Sequence, residues 1–271
     1  MKLVTFRPAG GVPEAGILDG ERVVGLGREM LSVISSGILP QPTGPSYGLD
    51  GVQLLAPIPR PPKLICVGLN YRDHAAEAKL ALPSVPTIFA KFSNVVIGPG
   101  DPIVIPKGSE RTDYEAEFAF VIGRRGRRIA ASNAMDYVYG YTIVHDVSER
   151  KYQMQTSQWM MGKTFDTFAP MGPWLVTRDE IADPHALEIW LEIAGERLQD
   201  SNTRELIFKI PELVEHLSSV VTLEPGDVVS TGTPAGVGFA RKPPRFLKSG
   251  DEVVIGITGL GRLRNPVVRE P

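Results

Sequence analysis

Two carboxylates at i and i+2 stand in the stretch Asp113-Tyr114-Glu115-Ala116-Glu117-Phe118-Ala119-Phe120-Val121-Ile122. In a strand, alternate side chains share a face, so Glu115 and Glu117 lie together with Asp113 beyond them, and Phe118, Phe120 and Ile122 line the other face. Two like charges this close repel, and burying them without a partner costs several kcal/mol. The pair therefore faces water or holds a cation. A cluster of hard oxygen ligands suits Mg²⁺, Mn²⁺ or Ca²⁺. On this fragment alone a solvated strand face is the simpler account.

A second run, Tyr139-Gly140-Tyr141-Thr142-Ile143-Val144-His145-Asp146-Val147-Ser148, is strongly β-prone and carries an acid at its end. Asp146 follows residues expected to be buried, where an acid needs a partner. It is a candidate third ligand, although an aspartate closing a strand is also ordinary turn chemistry. His74 and Glu77 form another candidate pair. Asn70-Tyr71-Arg72-Asp73 resembles a helix N-cap with an acid three residues on, and the helix that follows places His74 and Glu77 on one face. There the glutamate can hold the imidazole and raise its basicity, as a general base requires. A surface ion pair is the plainer alternative.

Lys163 lies in the aromatic-rich segment Trp159–Phe168. A partly desolvated lysine there can bind a carboxylate or enolate; otherwise it snorkels to the surface. Thr231-Gly232-Thr233-Pro234-Ala235-Gly236-Val237-Gly238 is a small-residue loop that lets a ligand approach the backbone. It lacks the Gly-Lys-Ser/Thr ending of a phosphate-binding loop, and Gly25-Leu26-Gly27 lacks the third glycine of a dinucleotide fingerprint. Arg124-Arg125-Gly126-Arg127-Arg128 reads as an exposed turn, and the lone Cys66, in an apolar run, reads as a buried structural thiol.

The elements that must position these residues are short. Glycine (28) and proline (24) fall between β-branched runs, which predicts many strands and few long helices. Residues 1–56 form a small unit, with strands at Lys2–Phe6, Gly16–Leu18 and Arg22–Gly25 and a hairpin at Asp19-Gly20. Proline-rich stretches at 40–45 and 57–62 read as linkers. Residues 57–271 make the larger domain, with strands over 64–67, 87–91, 102–105, 114–122, 139–147, 174–176, 187–193, 227–230 and 252–257. Helices are predicted at 73–79, 131–135 and 211–220, the last with a proline near its start. The fold class is a β-rich α+β protein. A net charge of −2 gives no electrostatic case for a nucleic-acid partner. No apolar run approaches the roughly 20 residues that span a bilayer, and residues 1–8 do not read as a secretory signal. A cytoplasmic location is the default expectation.

Taken together, five segments resemble the fumarylacetoacetate hydrolase superfamily, in the right order over about residues 60 to 265. They are Leu64–Glu77, Asp113–Glu117, His145–Arg150, Gly162–Pro173 and Gly232–Gly238. The resemblance implies a mixed β-sandwich-roll catalytic domain with a small N-terminal domain, commonly paired as a homodimer. It implies Glu115, Glu117 and Asp146 as ligands of Mg²⁺ or Mn²⁺, with Ca²⁺ an alternative in crystals. It also implies His74 and Glu77 as a water-activating dyad, Lys163 as a catalytic and substrate-binding residue, and Gly232 and Thr233 as substrate contacts. The expected substrate is a small 2-oxo acid. The expected reaction is hydrolysis of an acylpyruvate-type C–C bond, with decarboxylation, isomerisation or hydration through the same enolate as alternatives and a catalytically silent metal-binding protein as a remote one. Two positions depart from the family pattern: His145 stands where asparagine is frequent, and Lys151 where an acid is frequent.

Overall fold

The structure, a computed structural model, describes residues 1–271. A twelve-stranded sheet forms its centre. Its order runs Ser46–Gly48, Arg22–Gly25, Glu14–Asp19, Lys2–Pro8, Ala169–Thr177, Val138–His145, Ala116–Ile122, Val228–Ser230, Leu64–Gly68 and Thr87–Lys91, with two further short strands pairing off this path. Neighbours on the path are antiparallel except Val228–Ser230 beside Leu64–Gly68. A second sheet of five strands runs Glu196–Asn202, Glu188–Ile193, Glu252–Ile257, Gly261–Arg269 and Ile103–Ile105.

The Ala116–Ile122 strand is buried along its whole length. Phe118, Phe120 and Ile122 pack with Ile189, Leu191, Val253 and Ile255 of the five-stranded sheet. Ala119 and Val121 pack on the opposite side with Val144, Leu175, Leu3 and the helix residues Met30, Val33 and Ile34. The alternation predicted for this strand holds, but both faces are covered, which rules out the solvated face. Helix Ile210–Val220 starts beside Pro211 as expected and buries Ile210, Leu213, Val214 and Leu217, the i, i+3, i+4, i+7 stripe of an amphipathic helix.

The N-terminal strands extend the same sheet: Lys2 pairs with Val176 and Leu3 with Leu175. The 57–62 stretch is packed in part, since Ile58 is buried and the Thr5 hydroxyl donates to the Pro57 carbonyl at 2.7 Å. Several elements differ from expectation. Residues Ala131–Tyr137 are 3₁₀ helix. Glu196–Asn202 and Gly261–Arg269 are strands that the apolar pattern does not signal. The first is mostly polar and joins its partner through Ala194 and Gly195, both at positive φ as a two-residue hairpin requires. In the second, Asn265 takes an inward position and is satisfied by the carbonyls of Gly98 and Asp101. No helix is long and apolar enough to cross a membrane.

Candidate active site

Glu117 lies on the Ala116–Ile122 strand, Glu115 immediately before it, and Asp146 immediately after the paired Val138–His145 strand. The register sets Ala116 opposite His145, and the Asp146 amide donates to the Glu115 carbonyl at 3.0 Å. Sheet pairing thus brings Asp146 to the Glu115–Glu117 pair from the neighbouring strand. Their ligand atoms lie within 4.8 Å of one another, and the residues are 5 %, 2 % and 0 % exposed.

Three buried cations surround them. Lys163 Nζ donates to Glu115 Oε2 and Asp146 Oδ2, each at 2.7 Å. Arg150 Nη2 lies 2.6 Å from Glu115 Oε1, and Arg150 Nε donates to Asp113 Oδ2 at 2.9 Å. Lys91 Nζ donates to Asp146 Oδ1 at 2.5 Å and to the Val147 carbonyl at 3.0 Å. Burial works to raise the Glu115 carboxyl, but Lys163 and Arg150 outweigh it and hold the group well below the carboxylate range. Burial also works against the Lys163 ammonium, and Asp146 and Glu115 outweigh it in turn, holding the group above its ordinary value. Burial, then Lys91, pushes His145 down to about 3, so this imidazole is neutral.

Glu117 is the uncompensated member. Its Oε2 accepts from the Ser230 hydroxyl at 2.5 Å and the Gly232 amide at 3.1 Å, while no protein donor reaches Oε1. Burial, then Asp146 and Glu115, pushes its carboxyl well above the ordinary range. Four buried carboxylates (Asp113, Glu115, Glu117, Asp146) thus meet three buried cations (Lys91, Arg150, Lys163), and the surplus charge falls on the acid with a free oxygen. An all-oxygen triad with that surplus fits a hard divalent cation.

His74 and Glu77 occupy helix Arg72–Glu77, with His74 Nδ1 3.2 Å from Glu77 Oε2. Their side chains are 13 % and 25 % exposed, so the pair opens to solvent. Burial raises the Glu77 carboxyl, but His74 and the Gly236 amide (3.0 Å to Oε1) outweigh it and leave the group lowered. The predicted Asn70 cap does not form. Asn70 is buried and instead joins the Phe208 backbone and the Thr231 carbonyl. Its side chain is worth more as a tie between three segments than as a single cap.

The 231–238 loop joins the two halves. Gly232 donates to Glu117 and Gly236 to Glu77. Gly232 adopts φ +102, and a Cβ there would sit 2.9 Å from the Val67 carbonyl, so only glycine fits this approach. Gln199 Nε2 donates to Thr233 Oγ1 at 2.8 Å and to the Pro234 carbonyl, while its own oxygen accepts from the Ala116 amide. Lys163 is buried, which overturns its surface alternative. The sequence-predicted residues therefore fall into two groups, the acids with Lys163 and the His74–Glu77 pair, bridged by the loop carrying Gly232 and Thr233. Sequence reasoning missed Lys91, Arg150, Ser230 and Gln199 as parts of the site. A lysine closing the apolar strand Thr87–Lys91 was a signal for the first; Gln199, in a polar strand, gave none.

Comparison with known proteins adds a second line. The fumarylacetoacetate (FAA) hydrolase C-terminal family matches residues 63–268, and the Rv2993c-like N-terminal family matches residues 1–57. The mitochondrial oxaloacetate tautomerase fahd2 of Xenopus laevis is 53% identical over 221 residues, covering 81% of this chain and 69% of the relative. The mitochondrial oxaloacetate tautomerase Fahd2a of Rattus norvegicus is 48% identical over 267 residues, covering 98% of this chain and 83% of the relative. The crystal structure of 5-carboxymethyl-2-hydroxymuconate delta-isomerase from Mycobacterium smegmatis superposes with a TM-score of 0.86 at 39% identity, covering 100% of both chains.

Proposed function

The chain belongs to the fumarylacetoacetate hydrolase family, and on that footing we propose that it interconverts the keto and enol forms of a small 2-oxo diacid such as oxaloacetate, with Mg²⁺ or Mn²⁺ held by Glu115, Glu117 and Asp146. One observation carries the reading: a buried triad of acids whose ligand atoms lie within 4.8 Å of one another is tied, through a single loop, to a solvent-facing histidine–glutamate pair. Two relatives named for oxaloacetate tautomerisation and a solved structure named as an isomerase support enol chemistry.

A divalent cation held by Glu115, Glu117 and Asp146 would supply Lewis-acid character against the negative charge that develops on the keto oxygen. With its proton on Nδ1, His74 donates to Glu77, which fixes the tautomer and leaves Nε2 free to take or return the proton at the carbon beside the keto group. Glu77 is itself held by the Gly236 amide, so the base sits in register with the loop that holds Glu117. Lys163 and Arg150 bring fixed positive charge beside Glu115, where it offsets charge that grows during the reaction. The Thr233 hydroxyl accepts from Gln199 and keeps its own hydrogen for the substrate carboxylate, while the Gly232 amide is committed to Glu117.

C–C hydrolysis is the second reading, favoured by the exposure of the His74–Glu77 pair, which can reach water. Proton NMR of the metal-restored enzyme with oxaloacetate, acylpyruvates and unsaturated 2-oxo diacids separates the two. Faster enol–keto exchange without cleavage supports tautomerisation. Pyruvate with a free acid from an acylpyruvate establishes hydrolysis instead, and CO₂ release from oxaloacetate establishes decarboxylation.

A further inference from the structure

Asp146 is held by two buried lysines on different oxygens. Lys163 takes Oδ2 and also bridges to Glu115, so it stands between two members of the triad. Lys91 takes Oδ1, touches no other carboxylate, and spends a second donor on the Val147 carbonyl one residue on. Its side chain is 0 % exposed. It closes the edge strand Thr87–Lys91, where its backbone pairs with Leu64. The Phe92 amide donates to the Thr164 hydroxyl at 3.2 Å, next to Lys163, and Asn94 Nδ2 donates to Asp166 at 2.8 Å. The backbone carrying Lys91 is thus held on both sides, and its ammonium is shared between Asp146 Oδ1 and the Val147 carbonyl.

We propose that Lys91 is a positioning residue of the metal centre: by fixing Asp146 Oδ1 and the backbone beside it, it presents the other carboxylate oxygen, Oδ2, to the divalent cation. The proposal rests on the reading of the triad as a cation site. It runs against simple electrostatics. An ammonium near a cation site repels the cation, so on charge alone the loss of either lysine tightens binding. Loss of an outer partner that orients a ligand does the reverse, by about tenfold or more. The two lysines share one charge but differ in the oxygen they hold, so they separate these effects.

The test is calorimetric titration of Mn²⁺ into the metal-stripped full-length protein. Lys91→Met weakens Kd by about tenfold or more. Lys91→Gln, which keeps an N–H donor without the charge, stays within about threefold of wild type. Lys163→Met binds as tightly as wild type or more tightly. A Lys91→Met protein that binds as tightly as wild type or better overturns the proposal, as does a Lys163→Met weakening as large as that of Lys91→Met. If Lys91→Met fails to fold by circular dichroism, Lys91→Gln decides: binding within about threefold of wild type, or weaker, supports the proposal, because the shorter amide only partly replaces the ammonium's hold and offsets the lost repulsion, and binding tighter than about threefold overturns it. Failure of the wild-type protein to bind Mn²⁺ brings down the metal reading itself, a result distinct from a silent Lys91 substitution.

Discussion

Glu117→Gln moves metal binding and metal-free stability in opposite directions. In the metal-free protein, burial and the neighbouring Asp146 and Glu115 raise the Glu117 carboxyl well above its ordinary value of 4.5. A carboxyl raised on folding binds its proton more tightly in the folded state. Through this group, stability is therefore full below about pH 4.5 and falls as pH rises from there towards the folded value. At neutral pH the group carries the cost of burial with one oxygen unbonded. Glutamine keeps an acceptor for Ser230 and Gly232 and removes the negative charge. Relieving a buried polar group of unmatched desolvation is worth about 1–3 kcal/mol, and each kcal/mol moves Tm by roughly 2–4 °C in a chain of this size. Differential scanning fluorimetry at pH 7.5 is expected to show metal-free Glu117→Gln melting several degrees above the metal-free wild type, with the order reversed in excess Mn²⁺. A metal-free variant that melts well below wild type refutes the account of Glu117 as the uncompensated acid. A variant that keeps the full Mn²⁺-induced shift refutes its role as a ligand.

Further expectations follow from the other half of the site. His74→Gln lowers kcat by about 10²–10⁴-fold, the usual span for a positioned proton carrier, and leaves Mn²⁺ affinity unchanged, which separates it from substitutions in the triad. Glu77→Gln lowers activity in the same way and costs less than about 1 kcal/mol of stability, because the pair is partly exposed. The Glu77 carboxyl is lowered from 4.5, so that small contribution is present above about pH 4.5 and disappears as pH falls below it, as urea melts at several pH values will show. Gly238→Ala drives a methyl into the Arg245 carbonyl and into Asp113, whose carboxylate receives the Gly238 and Phe239 amides. It destabilises by about 1–3 kcal/mol in denaturant melts.

Much of the site was legible in the residues because its chemistry is local. Glu115 and Glu117 are two positions apart on a strand whose alternation is plain in Phe118, Phe120 and Ile122, and His74 and Glu77 share one helical turn. The burial of the acids was not legible from the fragment. It depends on helix and strand residues such as Val33 and Leu3 covering the Ala119–Val121 face, contacts that span more than eighty positions of chain. Gln199 was hidden for the same reason, and Lys91 showed only as a lysine closing an apolar strand: each reaches the site through long-range pairing rather than through a spacing. Asn70 misled because a cap and a tertiary tie use the same side chain, and the decisive partners, Phe208 and Thr231, lie far along the sequence. Polar strands such as Glu196–Asn202 carry little apolar alternation and are held by their neighbours' hydrogen bonds.

The most direct test of metal-dependent enol chemistry follows the ultraviolet absorbance of enol-oxaloacetate after mixing with metal-stripped enzyme, with Mn²⁺-restored enzyme, and with Mn²⁺ and the Glu117→Gln protein as the control for free metal. The account predicts rapid ketonisation with the restored wild-type enzyme alone. Equal acceleration by the stripped enzyme, or by the Glu117→Gln control, would contradict it.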